Sequence, residues 1–280
     1  MDVRMRACPV CDGRNTGRKE QIGGFPVHVC GDCGLWFFDS AQALPVDYDE
    51  VYKTPEYEEY HLEALSHTKD WLVFANYPTY RPFFERLGAS VGTLLDVGCG
   101  VGRFCRAACA KGWSVRGIDV SRTAIEAGRQ DAPFPMAVMA IEELARGTEK
   151  FDVVTSFEVL EHLAEPRQFV GHIARVLKPG GRFFCTVPNI ESPSVRHATR
   201  QDWVPPVHVL FFDRHSLREM LLRAGMTDVE TGEIWINTPP CGVLRRLKHA
   251  MLRLLGRIGR PEPTGLWAIG TPAGSADAAP

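Results

Sequence analysis

Leu94-Leu95-Asp96-Val97-Gly98-Cys99-Gly100-Val101-Gly102-Arg103-Phe104 begins as an apolar run, breaks into three glycines at alternate positions and resumes in a helical pattern. Glycine has no Cβ and accepts positive φ, so such a bend lets the backbone approach a ligand closely. A GxGxG pattern alone is a weak signal, and a plain tight turn between a strand and a helix is the competing reading. Two carboxylates strengthen it. Asp96 precedes the loop, and Asp119 closes the next apolar run in Gly117-Ile118-Asp119-Val120-Ser121. An acid at the end of a second strand can accept both hydroxyls of a ribose, whereas Asp96 could equally cap the loop.

Outward from the loop, short apolar runs alternate with helical patterns. The runs expected as strands are Thr93 to Val97, Ser114 to Asp119, Met136 to Met139, Phe151 to Phe157 and Gly181 to Val187, with Met226 to Ile234 and Gly265 to Gly270 completing the set. This rhythm predicts an α/β domain whose mostly parallel sheet carries helices on both faces. Lys178-Pro179-Gly180-Gly181 reads as a helix stop turning into a strand. Trp71 to Leu87 has helical spacing broken by Pro78 and Pro82. The organisation expected is a cysteine-bearing segment over 1–38, a linker with short helices over 39–88, a catalytic domain over 89–271 and a disordered tail over 272–280.

In this order and spacing, DVGCGVGRF (96–104), GIDVS (117–121), FDVVTSFEVLEHL (151–163) and LKPGGRFFCTVPN (177–189) resemble the successive motifs of class I S-adenosylmethionine-dependent methyltransferases, over residues 93–189. A dinucleotide-binding fingerprint would read GxGxxG instead. The resemblance implies a seven-stranded Rossmann-like sheet and a cofactor site of Asp96, Gly98, Cys99, Gly100 and Gly102 at the loop. It also implies Asp119 and Val120 at the ribose, Ala140 and Ile141 flanking adenine, and Phe157 and Glu158 facing the methyl donor and acceptor.

Glu158, Glu161 and His162 would share one face of a helical turn, where one of them serves as base or binds a metal; for Glu161 a capping role competes. His208-Val209-Leu210-Phe211-Phe212, followed by Leu217, Leu221, Leu222 and Ala224-Gly225-Met226, is similar to a pattern of the ubiquinone-biosynthesis-like O-methyltransferases. In that subgroup this histidine lies near the acceptor pocket. Following Pro205-Pro206 it is expected on a loop, as an imidazole able to take a proton near neutral pH; a structural histidine is the alternative. His208, Glu158 and His162 are therefore the catalytic candidates. Where the subgroup carries an aspartate pair after EHL, this chain has Ala164-Glu165-Pro166.

Of nine cysteines, Cys8, Cys11, Cys30 and Cys33 form two C-x2-C pairs separated by 18 residues. Four thiolates so spaced suit a closed, structural zinc site, with a redox pair as the rival. Cys99, Cys105, Cys109, Cys185 and Cys241 are expected in the core or lining it. Zinc ribbons often meet RNA, but residues 1–39 balance five basic against five acidic residues, and the chain's formal net charge is −2. That argues against nucleic acid as partner and leaves a ribosomal-RNA methyltransferase as the main rival. A cofactor-binding scaffold without activity is the other. CPVCDG to CGLWF resembles the N-terminus of methyltransferases from sugar, polysaccharide and natural-product pathways, so a small-molecule, glycan or lipid-linked hydroxyl is the expected acceptor.

The N-terminus lacks the apolar run of a signal peptide, so a cytoplasmic protein is expected. Between Glu233 and Glu262 there is no acidic residue, while Arg245, Arg246, Lys248, Arg253, Arg257 and Arg260 alternate with Leu244, Leu247, Met251, Leu254, Leu255 and Ile258. A basic amphipathic helix over 242–260 follows, either lying on an anionic membrane near the acceptor pocket or packed on the domain.

Overall fold

Gly23 and Gly24, both left-handed, fold Arg18–Ile22 (β1) back on Phe25–Val29 (β2), and Trp36–Phe37 (β3) pairs with β2. The computed structural model describes residues 7–38, 46–54, 71–88, 91–198, 203–236, 251, 254 and 261–274. Tyr48–Tyr52 (α1) is N-capped by Asp47, whose side chain accepts from the amides of Asp49 and Glu50. The stretch expected as helical from Trp71 is divided: a 3-10 turn covers Trp71–Asn76, and Arg81–Leu87 (α2) starts afresh with Pro82 in its first turn. Proline cannot donate within a helix but is tolerated at its start, so Pro78 separates the two and Pro82 does not.

The main domain then alternates: Thr93–Val97 (β4), Arg103–Ala110 (α3), Ser114–Asp119 (β5), Arg122–Arg129 (α4), Met136–Val138 (β6), Ile141–Leu144 (α5), Phe151–Phe157 (β7), Pro166–Val176 (α6) and Leu177–Pro188 (β8). Pro193–Arg196 (α7), Leu210–Phe211 (β9) and Arg214–Arg223 (α8) precede Met226–Ile236 (β10) and Glu262–Pro272 (β11). Seven strands make one sheet in the order β10-β11-β8-β7-β4-β5-β6. The pairs from β8 through β7, β4 and β5 to β6 are parallel, and β11 runs antiparallel to both β8 and β10. Each expected strand is present, but β8, β10 and β11 are longer than their apolar runs, because backbone pairing continues where side chains turn polar.

Strand order reverses at β4, whose neighbours are β5 on one side and β7 on the other, and crevices open at such switch points beyond the carboxyl ends of the strands. Phe83, Phe104, Phe184 and Trp267 fill one core cluster. The other runs without a break from Leu217, Met220 and Phe212 into Cys8, Val10, Leu35 and Phe37, so the cysteine-bearing segment shares its core with the catalytic domain. It shares a sheet as well: β9 pairs with β3 in the order β1-β2-β3-β9.

Residues 272–274, expected in the disordered tail, are ordered: Pro272 belongs to β11, and the Ala273 amide donates to the Gly225 carbonyl. Residues 275–280, Cys241, Tyr57, Tyr60 and the basic segment 242–260, apart from Met251 and Leu254, lie outside the described residues. Among those described, no helix is long and apolar enough to cross a membrane.

Candidate active site

The glycine loop lies where β4 ends at the switch point. Gly98, Gly100 and Gly102 have φ of 76°, 53° and 78°, a region that side chains with a Cβ avoid. An added Cβ at Gly98 would stand 2.4 Å from Val159 Cγ2. The amides of Gly98 and Cys99 donate to Ile118 O, which ties the loop to β5. Asp119 completes the tie: its Oδ2 accepts from the Gly100 amide and its Oδ1 from the Ser121 amide, both at 2.8 Å. Burial raises its pKa while those amides oppose the rise. A carboxylate has lone pairs beyond these two bonds, so the pre-set carboxylate and open loop fit the ribose and methionine ends of S-adenosylmethionine.

The remaining cofactor candidates divide. Val120 is 56% exposed beside Asp119, and half-buried Ala140 precedes the first turn of α5. Ile141 is buried in the core. Asp96 is a support beneath the loop: Thr155 Oγ1 donates to its Oδ1 at 2.7 Å and Cys105 Sγ to its Oδ2 at 3.4 Å. Burial pushes the Asp96 carboxyl up to about 7 against these bonds. The Cys99 side chain turns inward too, since a Cβ on Gly117 would meet its sulfur at 2.8 Å. Phe157 packs its ring on Phe104 at 4.4 Å and Tyr80 at 4.9 Å, forming an aromatic wall.

On the acceptor side the shared helical face expected of Glu158, Glu161 and His162 does not form. Glu158 is left-handed with φ 55°, and only a 3-10 turn follows at Leu160–His162. Glu158 therefore swings to β8, where Thr186 Oγ1 donates to its Oε1 at 2.8 Å. Crowding around its carboxyl raises the pKa to about 7, a rise that water at its exposed surface tempers.

Glu161 is 1% exposed, and neither carboxylate oxygen has a hydrogen-bond partner. Burial, and then the charge of Glu158, push its pKa well above the usual range, so the capping role does not apply. The His162 ring lies edge-on to His208 at 4.6 Å and bonds Val207 O through Nδ1 at 2.9 Å. His208 is on a loop as expected, but it is buried at 7% exposure and stacked on Trp203. Burial, and then His162, hold its pKa well below 6.5. Ligand atoms of Glu161, His162 and His208 lie within 4.8 Å of one another, a donor set able to hold a divalent cation.

Two neighbouring residues of the linker helix α1 span the site. Asp49 Oδ1 accepts from Ser121 Oγ at 2.8 Å and from the Thr123 amide at 3.0 Å, while neighbouring Tyr48 meets His162 edge-on at 5.8 Å. The capping Asp47 marks this short helix in the sequence, but nothing local marks its partners.

The four N-terminal sulfurs lie within 4.8 Å of one another, with Cys8–Cys33 at 3.6 Å and Cys11–Cys30 at 3.4 Å. A tetrahedral zinc with arms of about 2.3 Å needs sulfurs about 3.8 Å apart. The Gly13 amide points at Cys11 Sγ, and left-handed Gly34 sharpens the second turn. The set fits structural zinc.

The switch-point loop, the carboxylate closing β5 and the antiparallel β11 between β8 and β10 define a class I S-adenosylmethionine-dependent methyltransferase. Residues 74–231 match the family model described as a methyltransferase domain, and the chain belongs to that family. It is 31% identical over 186 residues to the ubiquinone biosynthesis O-methyltransferase of Idiomarina loihiensis, covering 60% of this chain and 75% of that one. With the protein of that name from Coxiella burnetii it shares 34% over 101 residues, covering 34% of this chain and 43% of the relative. A solved S-adenosylmethionine-dependent methyltransferase from Archaeoglobus fulgidus has the same fold, with a TM-score of 0.52 and 20% identity over 75% of this chain and 98% of that one.

Proposed function

We propose that this methyltransferase methylates a hydroxyl oxygen of a small molecule, with His208 and His162 handling the proton. The observation carrying the reading is the group of two imidazoles 4.6 Å apart beside the buried Glu161 carboxyl, whose Oε1 lies 3.9 Å from His162 Nε2. The relatives named as ubiquinone biosynthesis O-methyltransferases support it.

S-adenosylmethionine supplies an electrophilic methyl on a sulfonium and is left as the neutral thioether. The chain's part is orientation and proton removal. Gly98, Gly100, Gly102 and Asp119 hold the cofactor, with Asp96 bracing the loop from below. An acceptor hydroxyl lying between Glu158 and His208 gives its proton to an imidazole nitrogen as its oxygen bonds the methyl carbon. Burial keeps both rings uncharged and ready to accept it, with Val207 O fixing the His162 ring. Glu161 is placed to share a divalent cation with the two histidines.

A glycan or lipid-linked acceptor at a membrane surface extends the reading. Met251 and Leu254, three positions apart on helical backbone in the basic segment, are 55% and 89% exposed, which supports it. Mass spectrometry of extracts from cells lacking the protein tests the whole reading. A metabolite or glycan lighter by one methyl group on oxygen is expected, whereas a lost RNA base methylation, or no change together with retained cofactor binding, would replace it.

A further inference from the structure

We infer that the cysteine ribbon is the positioning arm of the acceptor side: through β3 it sets where His208 and Glu161 stand, and it takes no part in holding the cofactor. This rests on the reading of those two residues given above. The connection is a row of three backbone segments. Trp36 pairs with Phe211 and Phe37 with Leu210. The Phe38 amide continues the ladder by donating to Val209 O at 2.8 Å, and the Val209 amide donates to Glu161 O at 2.8 Å. His208 directly precedes Val209, so ribbon, histidine loop and Glu161 turn are stitched together at one residue.

The ribbon touches the other end of that loop as well. Gly23, at the tip between β1 and β2, approaches Val204 so closely that a Cβ there would lie 2.4 Å from Val204 Cγ1. Val204 O in turn accepts from the His208 amide. Arg167 with Asp12, and Arg196 over the Trp36 ring, clamp the ribbon from outside. The glycine loop is bonded differently: its amides run to Ile118 and Asp119 within the main sheet.

A segment of this size has too little apolar interior to order itself, so β3 depends on metal binding at the four thiolates together with the core it shares with the catalytic domain. A two-residue strand has no order to lend once its anchor is gone. Loss of the metal should therefore free the His208 loop and spare the cofactor loop.

Amide hydrogen exchange on the full-length protein with S-adenosylhomocysteine, before and after a zinc chelator, tests this without any acceptor. Chelation is expected to cut the protection of the Phe38 and Val209 amides by about tenfold or more. The Gly98 and Cys99 amides and the affinity for S-adenosylhomocysteine should stay within about twofold. The His208 ring protons, which Trp203 and His162 shift, should move towards unstructured values in the NMR spectrum. Unchanged protection at Val209, or equal loss at Val209 and the glycine loop, overturns the proposal.

Phe38→Pro deletes the donor to Val209 O and leaves the cysteines in place, whereas Phe38→Ala keeps the donor and removes the ring. With zinc content unchanged, only Phe38→Pro should deprotect Val209 and move the His208 signals. Equal behaviour of the two variants would mean that packing, not the strand, carries the effect, and would sink the idea. Neither readout involves turnover, so a failure of His208 as base would appear separately, as undiminished methylation by His208→Ala.

Discussion

Gly100 and Asp119 are 19 residues apart and joined by one hydrogen bond, backbone amide to carboxylate at 2.8 Å, so the glycine loop and the acid closing β5 are set as one unit. Asp119→Ala removes the acceptor for Gly100 together with the proposed ribose contact. Hydrogen bonds to a charged group contribute about 1.5–3 kcal/mol, so affinity for S-adenosylhomocysteine should drop by about 10- to 100-fold in calorimetry. Asp119→Asn, which keeps one acceptor oxygen, should lose less; undiminished binding by the alanine variant would remove Asp119 from the site.

Gly98→Ala combines two costs. Its φ of 76° is unfavourable for alanine by about 1–2 kcal/mol, and the new Cβ would meet Val159. A destabilisation of about 2–3 kcal/mol is expected by denaturant titration, with cofactor affinity reduced. Adding Val159→Ala should restore the part due to the clash and leave the part due to φ. Full recovery in the double variant would show that backbone strain contributes nothing.

How legible each half of the site is in the sequence follows from the range of the forces that shape it. The cofactor side is written locally: glycines at alternate positions demand left-handed backbone, and the apolar runs around Asp96 and Asp119 are themselves strands β4 and β5. The acceptor side depends on contacts across the chain. Helical spacing put Glu158, Glu161 and His162 on one face, but φ 55° at Glu158 breaks the turn and sends its carboxylate to Thr186. A loop after two prolines implied an accessible His208, yet the ring is buried against His162 and Trp203. Strands of two residues, such as β3 and β9, are too short to show a period, so the ribbon's junction with the catalytic domain leaves no local trace.

Asp96 gives the fold a signature in pH. Its pKa in the native protein is raised from 3.8 to about 7, mainly by burial. The folded state therefore holds this proton more tightly than the unfolded chain. The resulting stability is complete below about pH 4 and is lost as pH rises to about 7. Three pH units correspond to at most about 4 kcal/mol. Asp96→Asn, similar in shape and without a charge to form, should gain stability over the wild type across that window and run parallel to it above. Thermal melts from pH 4 to 8 measure the gap, and a constant gap would show that Asp96 is not protonated on folding. Buried Asp119, raised for the same reason, is present in both proteins.

Glu161 sets function against stability most sharply. Both of its carboxylate oxygens are buried without hydrogen-bond partners, a burden of about 1–3 kcal/mol for each polar group left unsatisfied. Glu161→Met keeps the length of the side chain and removes that burden among Leu160, Val209 and Cys185, which are also buried. The variant is expected to be more stable by about 1–3 kcal/mol, to bind S-adenosylhomocysteine as the wild type does, and to lose at least about a hundredfold in methyl transfer. Denaturation midpoints together with single-turnover methylation decide the matter. A variant that is stabilised and fully active would reduce Glu161 to an unpaired residue of the core, whereas a destabilised one would show that its carboxyl already satisfies a partner in the native fold.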